Sequence, residues 1–124
     1  MATRVLVADD ARFMRQLIRE IIEPEGFEVV GEAADGRAVV EEFTRLQPDI
    51  VTMDIVMPKR SGIDAVKEIL ALDPGAKIVM VSALGQEALV MEALQAGASD
   101  YVVKPFKPDA VVSTLRKVLE KKDV

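Results

Sequence analysis

Five short runs of β-branched and other apolar residues alternate with longer segments in which apolar residues recur every three or four positions. This alternation constrains the fold most, because strands that alternate with helices form a parallel sheet with right-handed crossovers and helices on both faces. Four runs are almost continuously apolar, which predicts strands covered on both faces, whereas the second alternates and is predicted at an edge. The runs span 5–8, 28–33, 50–53, 78–81 and 101–103.

The segments between the runs predict amphipathic helices that pack their apolar stripes on the sheet. The last helix is predicted from 108 to about 121, and residues 1–124 are expected to form one domain with no attached output domain. Val90 and Leu94 on the fourth helix are expected to pack inward; the alternative is that they face outward with Glu87 as a partner site. The predicted stripes comprise Phe13, Leu17, Ile18, Ile21 and Ile22, then Val39, Val40, Phe43 and Leu46, then Ile63, Val66, Ile69 and Leu70. The methionines predicted to fill the core are Met14, Met53, Met57, Met80 and Met91.

Charge and composition exclude several classes of function. The 16 basic and 21 acidic residues leave a net charge of −5, which disfavours tight binding to nucleic-acid phosphates. The chain has no His, so the usual general base and the commonest metal ligand are missing. It also has no Cys, which suits a reducing cytosol. Its longest uncharged stretch, 78–86, falls far short of the roughly 20 residues of a membrane span. The expected partners are therefore proteins or small ions.

Polar residues follow four of the predicted strands, at the edge of the sheet where ligands of such folds bind. Asp9 and Asp10 follow the first strand, Asp54 the third, Ser82 the fourth and Lys104 the fifth. Two carboxylates about 4 Å apart repel by about 4 kcal/mol at an effective dielectric near 20, so either a cation lies among the three acids or some are protonated. An all-oxygen ligand set favours Mg²⁺. A lysine and a hydroxyl nearby suit a phosphoryl group, with Asp54 as its nucleophile.

The motifs that carry these residues identify a family. The chain resembles, over its whole length, the receiver domains of bacterial two-component response regulators, and it is most similar to their single-domain chemotaxis members. The resemblance implies an α/β, flavodoxin-like (βα)5 fold, a doubly wound five-stranded parallel sheet of order 2-1-3-4-5. The matching motifs are VADD at 7–10, TMDIVMP at 52–58, VSA at 81–83 and YVVKPF at 101–106.

The same resemblance implies the chemistry of the acids. Asp54 would be phosphorylated from a phosphohistidine of a partner histidine kinase. Asp10, Asp54 and the backbone carbonyl of Val56 would bind Mg²⁺, and Asp9 would act mostly through water. The chain would be a switch with self-phosphorylation and self-dephosphorylation only, and not an enzyme.

The resemblance also implies a switch and its partners. Ser82 and Lys104 would contact the phosphoryl oxygens, and Tyr101 would change rotamer as Ser82 moves. The face made by the fourth helix, fifth strand and fifth helix would then bind a flagellar motor switch protein. A chemotaxis histidine kinase is the expected donor and a phosphatase a further candidate partner, for a cytoplasmic monomer. Family members have a cis bond at the position of Lys104-Pro105.

Other functions remain open at this point. A lone receiver could be a phosphorelay intermediate or a phosphate sink, and a pure interaction module would make no use of the acids. An aspartyl-phosphate hydrolase is disfavoured, because such enzymes commonly carry a second acid two residues after the nucleophile, where this chain has Val56. Nucleotide binding is disfavoured because no G-x-G-x-x-G follows the first strand.

Each candidate also has a simpler interpretation. The sole role of Asp9 or Asp10 could be to cap a helix, and Asp54 could be a turn acid that faces solvent. Ser82 could be an ordinary strand-end hydroxyl and Lys104 a surface charge. Tyr101 could be a packed core aromatic rather than a switch.

Two apolar residues depart from the usual polar surroundings of a phosphorylated acid. Val56 lies two residues after Asp54, and Leu84 two residues after Ser82. Both are expected to flank the path of a water molecule that attacks an acyl phosphate. We therefore hypothesise that their side chains impede this water and lengthen the life of the phosphorylated form.

Overall fold

The structure, a computed structural model, describes residues 2–120. Its five strands form one parallel sheet in the order β2-β1-β3-β4-β5, as predicted, and a helix follows each strand. A short 3₁₀ helix, Glu23–Glu25, follows the first α-helix. The elements in chain order are β1 (Thr3–Ala8), α1 (Arg12–Ile22), β2 (Phe27–Ala33), α2 (Gly36–Leu46), β3 (Ile50–Asp54), α3 (Gly62–Leu72), β4 (Ile78–Ala83), α4 (Glu87–Gln95), β5 (Asp100–Lys104) and α5 (Pro108–Glu120).

The strand register brings the carboxyl ends of four strands to one edge. Ala8 of β1 pairs with Met53 of β3, and the next residue of β3, Asp54, pairs with Val81 of β4. At the far side, Ala83 pairs with Lys104. Residues that follow these positions therefore lie in a row across the sheet, which is where the candidate site residues stand.

The core consists of two clusters, one on each face of the sheet. Alternate residues of a strand point to opposite faces, so Val51 and Met53 of β3 belong to the cluster under α2, α3 and α4, whereas Ile50 belongs to the cluster under α1 and α5. Full burial of an aliphatic side chain contributes roughly 1.5–3 kcal/mol. The predicted sandwich of helices around the sheet is confirmed.

Two of the predicted core residues lie instead at the surface. Phe13 is 74% exposed and Met91 is exposed as well. At about 100° per residue, Phe13 lies roughly opposite Ile22, which is one of the two residues that α1 buries completely against the sheet. Met91 likewise lies nearly opposite the buried Ala93 of α4.

The other packing predictions are largely confirmed. Met53, Met57 and Met80 are buried, and Met14 is half-buried. Val90 is buried in the core and Leu94 packs against it, so the inward interpretation of α4 is correct. The remaining predicted stripe residues, from Leu17 in α1 to Leu70 in α3, are all buried or half-buried.

At the two edges of the sheet, the prediction for β2 is confirmed and the prediction for β5 is not. The alternating strand β2 lies at an edge, as predicted. Strand β5 forms the other edge, and only Val102 of its five residues is buried while Tyr101 is exposed, so the predicted cover on both faces is wrong for this strand. Helix α5 is described to Glu120, and its expected end at 121 lies outside the described residues. Within residues 2–120 no helix combines the length and the apolar character that crossing a bilayer requires.

Candidate functional site

Three carboxylates converge where β1 and β3 end. Asp9, Asp10 and Asp54 each offer an oxygen that lies within 4.8 Å of the oxygens of the other two. Asp9 is 1% and Asp54 8% exposed, whereas Asp10 faces solvent. The structure thus brings the three predicted acids together, and it rules out the interpretation of Asp54 as a turn acid that faces solvent.

Every polar group of Asp9 has a partner. Its N–H donates to the carbonyl of Ala33 at 3.0 Å, and its Oδ1 accepts the N–H of Ala11 at 2.9 Å. Its Oδ2 lies 3.3 Å from Nζ of Lys104, and its carbonyl accepts from Nη1 of Arg15 at 2.7 Å. The N-cap of α1 is Ala11, so the carboxylate of Asp9 satisfies one amide just before the helix but does more than cap it.

Lys104 reaches from the edge strand β5 across β4 to the acids. Its Nζ lies 3.3 Å from Oδ2 of Asp9 and 3.6 Å from Oδ2 of Asp54, and its side chain is largely shielded from solvent. The Lys104-Pro105 bond is cis, as the family resemblance implied. The interpretation of Lys104 as an ordinary surface charge is therefore wrong.

The environment of Asp54 disfavours its charged form. Burial raises the pKa of Asp54, and the nearby carboxylates of Asp9 and Asp10 raise it further. The ammonium of Lys104 and the nearby backbone N–H of Val56 oppose that increase. One ammonium among three acids leaves an excess of negative charge, so the site has the oxygen donors and the charge that Mg²⁺ requires.

The loop after β3 is held tightly against the backbone of Asp54. Gly62 begins α3, and a Cβ at this position would lie 2.3 Å from the carbonyl oxygen of Asp54. The N–H of Gly62 donates to the carbonyl of Ile55 at 2.8 Å. Ser61 caps the helix by accepting the N–H of Asp64 at 3.1 Å. The close approach of α3 thus requires glycine and fixes the segment that carries Val56.

Ser82 and Tyr101 lie on the side of the site near α4. Ser82 is buried, and its hydroxyl donates to the carbonyl of Val102 at 3.5 Å, which is the only hydrogen bond of that hydroxyl within residues 2–120. Tyr101 lines an apolar groove of about 330 Å³ between α4 and β5, together with Leu84 and Met91. Tyr101 is therefore not a core aromatic, and it lines the same groove as Ser82.

The two apolar residues singled out in the sequence are both exposed. Val56 stands after β3 and Leu84 after β4, at the side of the sheet where the acids converge. The hypothesis that these side chains impede the attacking water stays a prediction.

Three residues that matter to the site were missed in the sequence. Arg15 contacts the backbone of Asp9, and Gly62 contacts the backbone of Asp54. Thr52, two residues before Asp54 in β3, has a buried hydroxyl with no hydrogen-bond partner within the described residues. Two sequence signals were available: Arg15 lies one turn into the helix that follows the acids, and Gly62 comes directly after a helix cap.

Comparison with known proteins places the chain among relatives of the same size. The response regulator receiver domain model matches residues 5–116. The chain is 57% identical over 118 residues to the chemotaxis protein CheY of Thermotoga maritima, which covers 95% of this chain and 98% of that protein. It is 50% identical to CheY of Bacillus subtilis, covering 96% of this chain and 99% of that protein.

A solved structure extends the likeness to three dimensions. The CheX-CheY-BeF3-Mg²⁺ complex from Borrelia burgdorferi superposes with a TM-score of 0.91 at 37% identity, covering 96% of this chain and 90% of that chain. The strand order and the helices on both faces match this flavodoxin-like fold. Sequence and structure agree, and the chain belongs to the response regulator receiver domain family.

Proposed function

We propose that the chain is a phosphorylation-activated response regulator of a chemotaxis two-component system, acting as a single receiver domain over residues 1–124. The observation that carries the proposal is the convergence of Asp54 with Asp9, Asp10 and Lys104. The similarity to CheY proteins supports the chemotaxis assignment. The protein would be a cytoplasmic monomer that binds neither nucleic acid nor membrane, and a switch rather than an enzyme.

Asp54 would accept the phosphoryl group from a phosphohistidine of a chemotaxis histidine kinase. A carboxylate oxygen of Asp54 attacks phosphorus and forms the new O–P bond, while the N–P bond breaks and the imidazole nitrogen keeps the electron pair. Lys104, already 3.6 Å from the carboxylate, would neutralise charge on the phosphoryl oxygens, and the hydroxyl of Ser82 would donate to another.

The acids fit a resident Mg²⁺. Asp10, Asp54 and the backbone carbonyl of Val56 would hold it, with Asp9 acting through water. When bound, the dication offsets the repulsion between the acids and an incoming phosphoryl group. Asp9 keeps its contacts with Ala11 and Lys104 and so maintains the shape of the acidic site.

The output would be a change of the α4-β5-α5 face. Movement of Ser82 toward the phosphoryl group would free space in the groove that Ser82 and Tyr101 both line, and Tyr101 would change rotamer to fill it. The altered face would bind a flagellar motor switch protein, and a phosphatase is a further proposed partner. Phosphorylation shifts this equilibrium only by its differential interaction with the two states.

Labelling with acetyl phosphate tests the proposal. Mass spectrometry should find one phosphoryl group per chain in the presence of Mg²⁺, none in the presence of a chelator, and none in Asp54→Asn. Asp64→Asn, which removes an exposed acid from α3, is the matched control and should label like the wild type. Absence of labelling would favour a pure interaction module, and repeated turnover of a small phosphate ester would favour a hydrolase.

The output requires a separate measurement. Capture of purified motor switch protein should be stronger with the phosphorylated chain than with Asp54→Asn. Labelling without such capture, but with transfer of the phosphoryl group to a second histidine protein, would favour a phosphorelay intermediate. Labelling with neither would favour a phosphate sink.

A further inference from the structure

Arg15 is an unusually buried arginine for a helix surface. Its side chain is 15% exposed, and it lies one turn into α1. Nη1 donates to the carbonyl of Asp9 at 2.7 Å, and Nε donates to Oε1 of Glu32 at 2.8 Å. The planar guanidinium therefore joins the end of β1 to β2 through two directed hydrogen bonds, which a lysine ammonium on its flexible stem cannot reproduce in the same geometry.

Glu32 is itself held in place. Its second carboxylate oxygen, Oε2, lies 2.8 Å from Nη2 of Arg19. The hydrogen bond from Arg19 lowers the pKa of Glu32, and Arg15 lowers it further. Glu32 stands directly before Ala33, whose carbonyl accepts the N–H of Asp9. Strand β2 thus fixes the backbone of Asp9 on both sides, directly at its N–H and through Arg15 at its carbonyl.

The carbonyl of Asp9 belongs to the peptide that continues into Asp10. A peptide unit is planar, so fixing this oxygen also fixes the N–H and the Cα of Asp10. Within residues 2–120 Asp10 has no side-chain hydrogen bond of its own, and it faces solvent. Its carboxylate nevertheless converges with those of Asp9 and Asp54, so its placement must come from the main chain.

We infer that Arg15 is a positioning residue for the acidic site, which orients the peptide between Asp9 and Asp10 and thereby aims the Asp10 carboxylate at a divalent cation. This inference rests on the proposed function, because it assigns Arg15 to the Mg²⁺ site proposed there. Arg15 and Arg19 together are balanced by Glu32 and Glu23, so we expect the effect of Arg15 to be one of geometry rather than of attraction or repulsion.

Three variants of the full chain test whether Arg15 affects Mg²⁺ binding through geometry, through charge or not at all. Arg15→Gln removes both directed bonds, and Arg15→Lys keeps the charge but loses the planar donor set. Arg19→Gln is the matched control, because Arg19 contacts the same glutamate but not Asp9. Calorimetry measures the Kd for Mg²⁺ alone, and urea unfolding verifies that each variant folds. Hydrogen exchange of the Ala11 amide, which bonds to the Asp9 carboxylate, monitors the turn in the metal-free chain.

We expect Arg15→Gln to weaken Mg²⁺ binding by about 10-fold or more, as for other groups that orient metal ligands, and Arg15→Lys to weaken it by several-fold. The Ala11 amide should exchange faster in both. Arg19→Gln should change the Kd by less than about two-fold. If Arg15→Gln does not fold, Arg15→Lys alone decides the comparison with Arg19→Gln.

Two results would overturn the inference while the proposed function stands. One is a wild type that binds Mg²⁺ together with folded Arg15 variants of unchanged Kd. The other is full recovery of affinity in Arg15→Lys, which would show that charge and not geometry matters. A wild-type chain that binds no Mg²⁺ would instead refute the proposed function, and the inference with it.

Discussion

Asp54→Asn is expected to stabilise the fold although it removes the central group of the site. Asp54 is 8% exposed and shares its surroundings with two carboxylates within 4.8 Å, against one ammonium at 3.6 Å. Asparagine has nearly the same size and shape. The substitution therefore removes the charge and leaves the packing almost unchanged.

The magnitude follows from these distances. At an effective dielectric near 20, a like-charge pair at this separation costs about 3.5 kcal/mol, and the attraction to Lys104 contributes about 4.6 kcal/mol. Asp10 is exposed, so solvent weakens its share of the repulsion. Burial of the charged carboxylate adds a further cost. We expect a net gain of about 1–3 kcal/mol in the free energy of unfolding at pH 7 and low salt.

The raised pKa of Asp54 predicts how the stability difference between Asp54→Asn and the wild type changes with pH. Because the pKa of Asp54 is raised in the folded state, the folded chain holds this proton more tightly than the unfolded chain, whose carboxyl titrates near pH 4. The wild type therefore gains stability from this group as the pH falls through the folded pKa. The advantage of Asp54→Asn should be largest at neutral pH, shrink as the medium becomes acidic, and vanish below about pH 4.

Urea unfolding monitored by circular dichroism tests this reasoning in chelator-treated buffer. Glu28→Gln, which neutralises an exposed acid on β2, is the matched control and should move the midpoint little. Added Mg²⁺ should stabilise the wild type more than Asp54→Asn and so reduce the difference between their free energies of unfolding. The electrostatic account would be refuted if Asp54→Asn is no more stable than the wild type at pH 7. It would also be refuted if the difference in their free energies of unfolding grows as the pH falls.

Three further changes have definite outcomes. Thr52→Val should raise the free energy of unfolding by about 1–2 kcal/mol in urea titrations, because it removes a buried hydroxyl that has no partner within residues 2–120. A lower free energy of unfolding would mean that a buried water satisfies this hydroxyl. Gly62→Ala should lower it by about 2 kcal/mol or more, since its Cβ would meet the Asp54 carbonyl at 2.3 Å, and an unchanged midpoint would contradict that close contact. The double variant Val56→Asn, Leu84→Glu should shorten the life of the acyl phosphate, followed as release of phosphate; equal lifetimes would count against a role of these side chains in impeding water.

The fold and the main groups of the site were predictable because both depend on simple periodicities. Buried parallel strands require nearly continuous apolar runs, and the residue after each run must lie at the carboxyl edge of the sheet. Asp54 and Lys104 could therefore be placed together although 49 residues separate them, since the apolar runs fix where each strand ends and parallel strands end at the same edge.

What could not be predicted depends on how each helix is rotated about its axis. A stripe of apolar residues at helical spacing is wider than the face that is finally buried, so Phe13 matched the stripe of α1 and yet faces outward. Met91 was predicted inside only because methionine commonly fills cores, and it also faces outward. Arg15 escaped notice for a related reason. Its partner is a backbone carbonyl, which every residue possesses, and only the crossing of α1 over β1 brings the two together.

The ion pair between Lys104 and Asp9 joins residues 95 positions apart in the chain. During synthesis the first strand and its acids leave the ribosome before the lysine does, because the chain is made from its amino end. A half-made or truncated molecule thus carries the acids without the ammonium that balances them. Any activity that needs both groups therefore requires a chain that has been synthesised through β5.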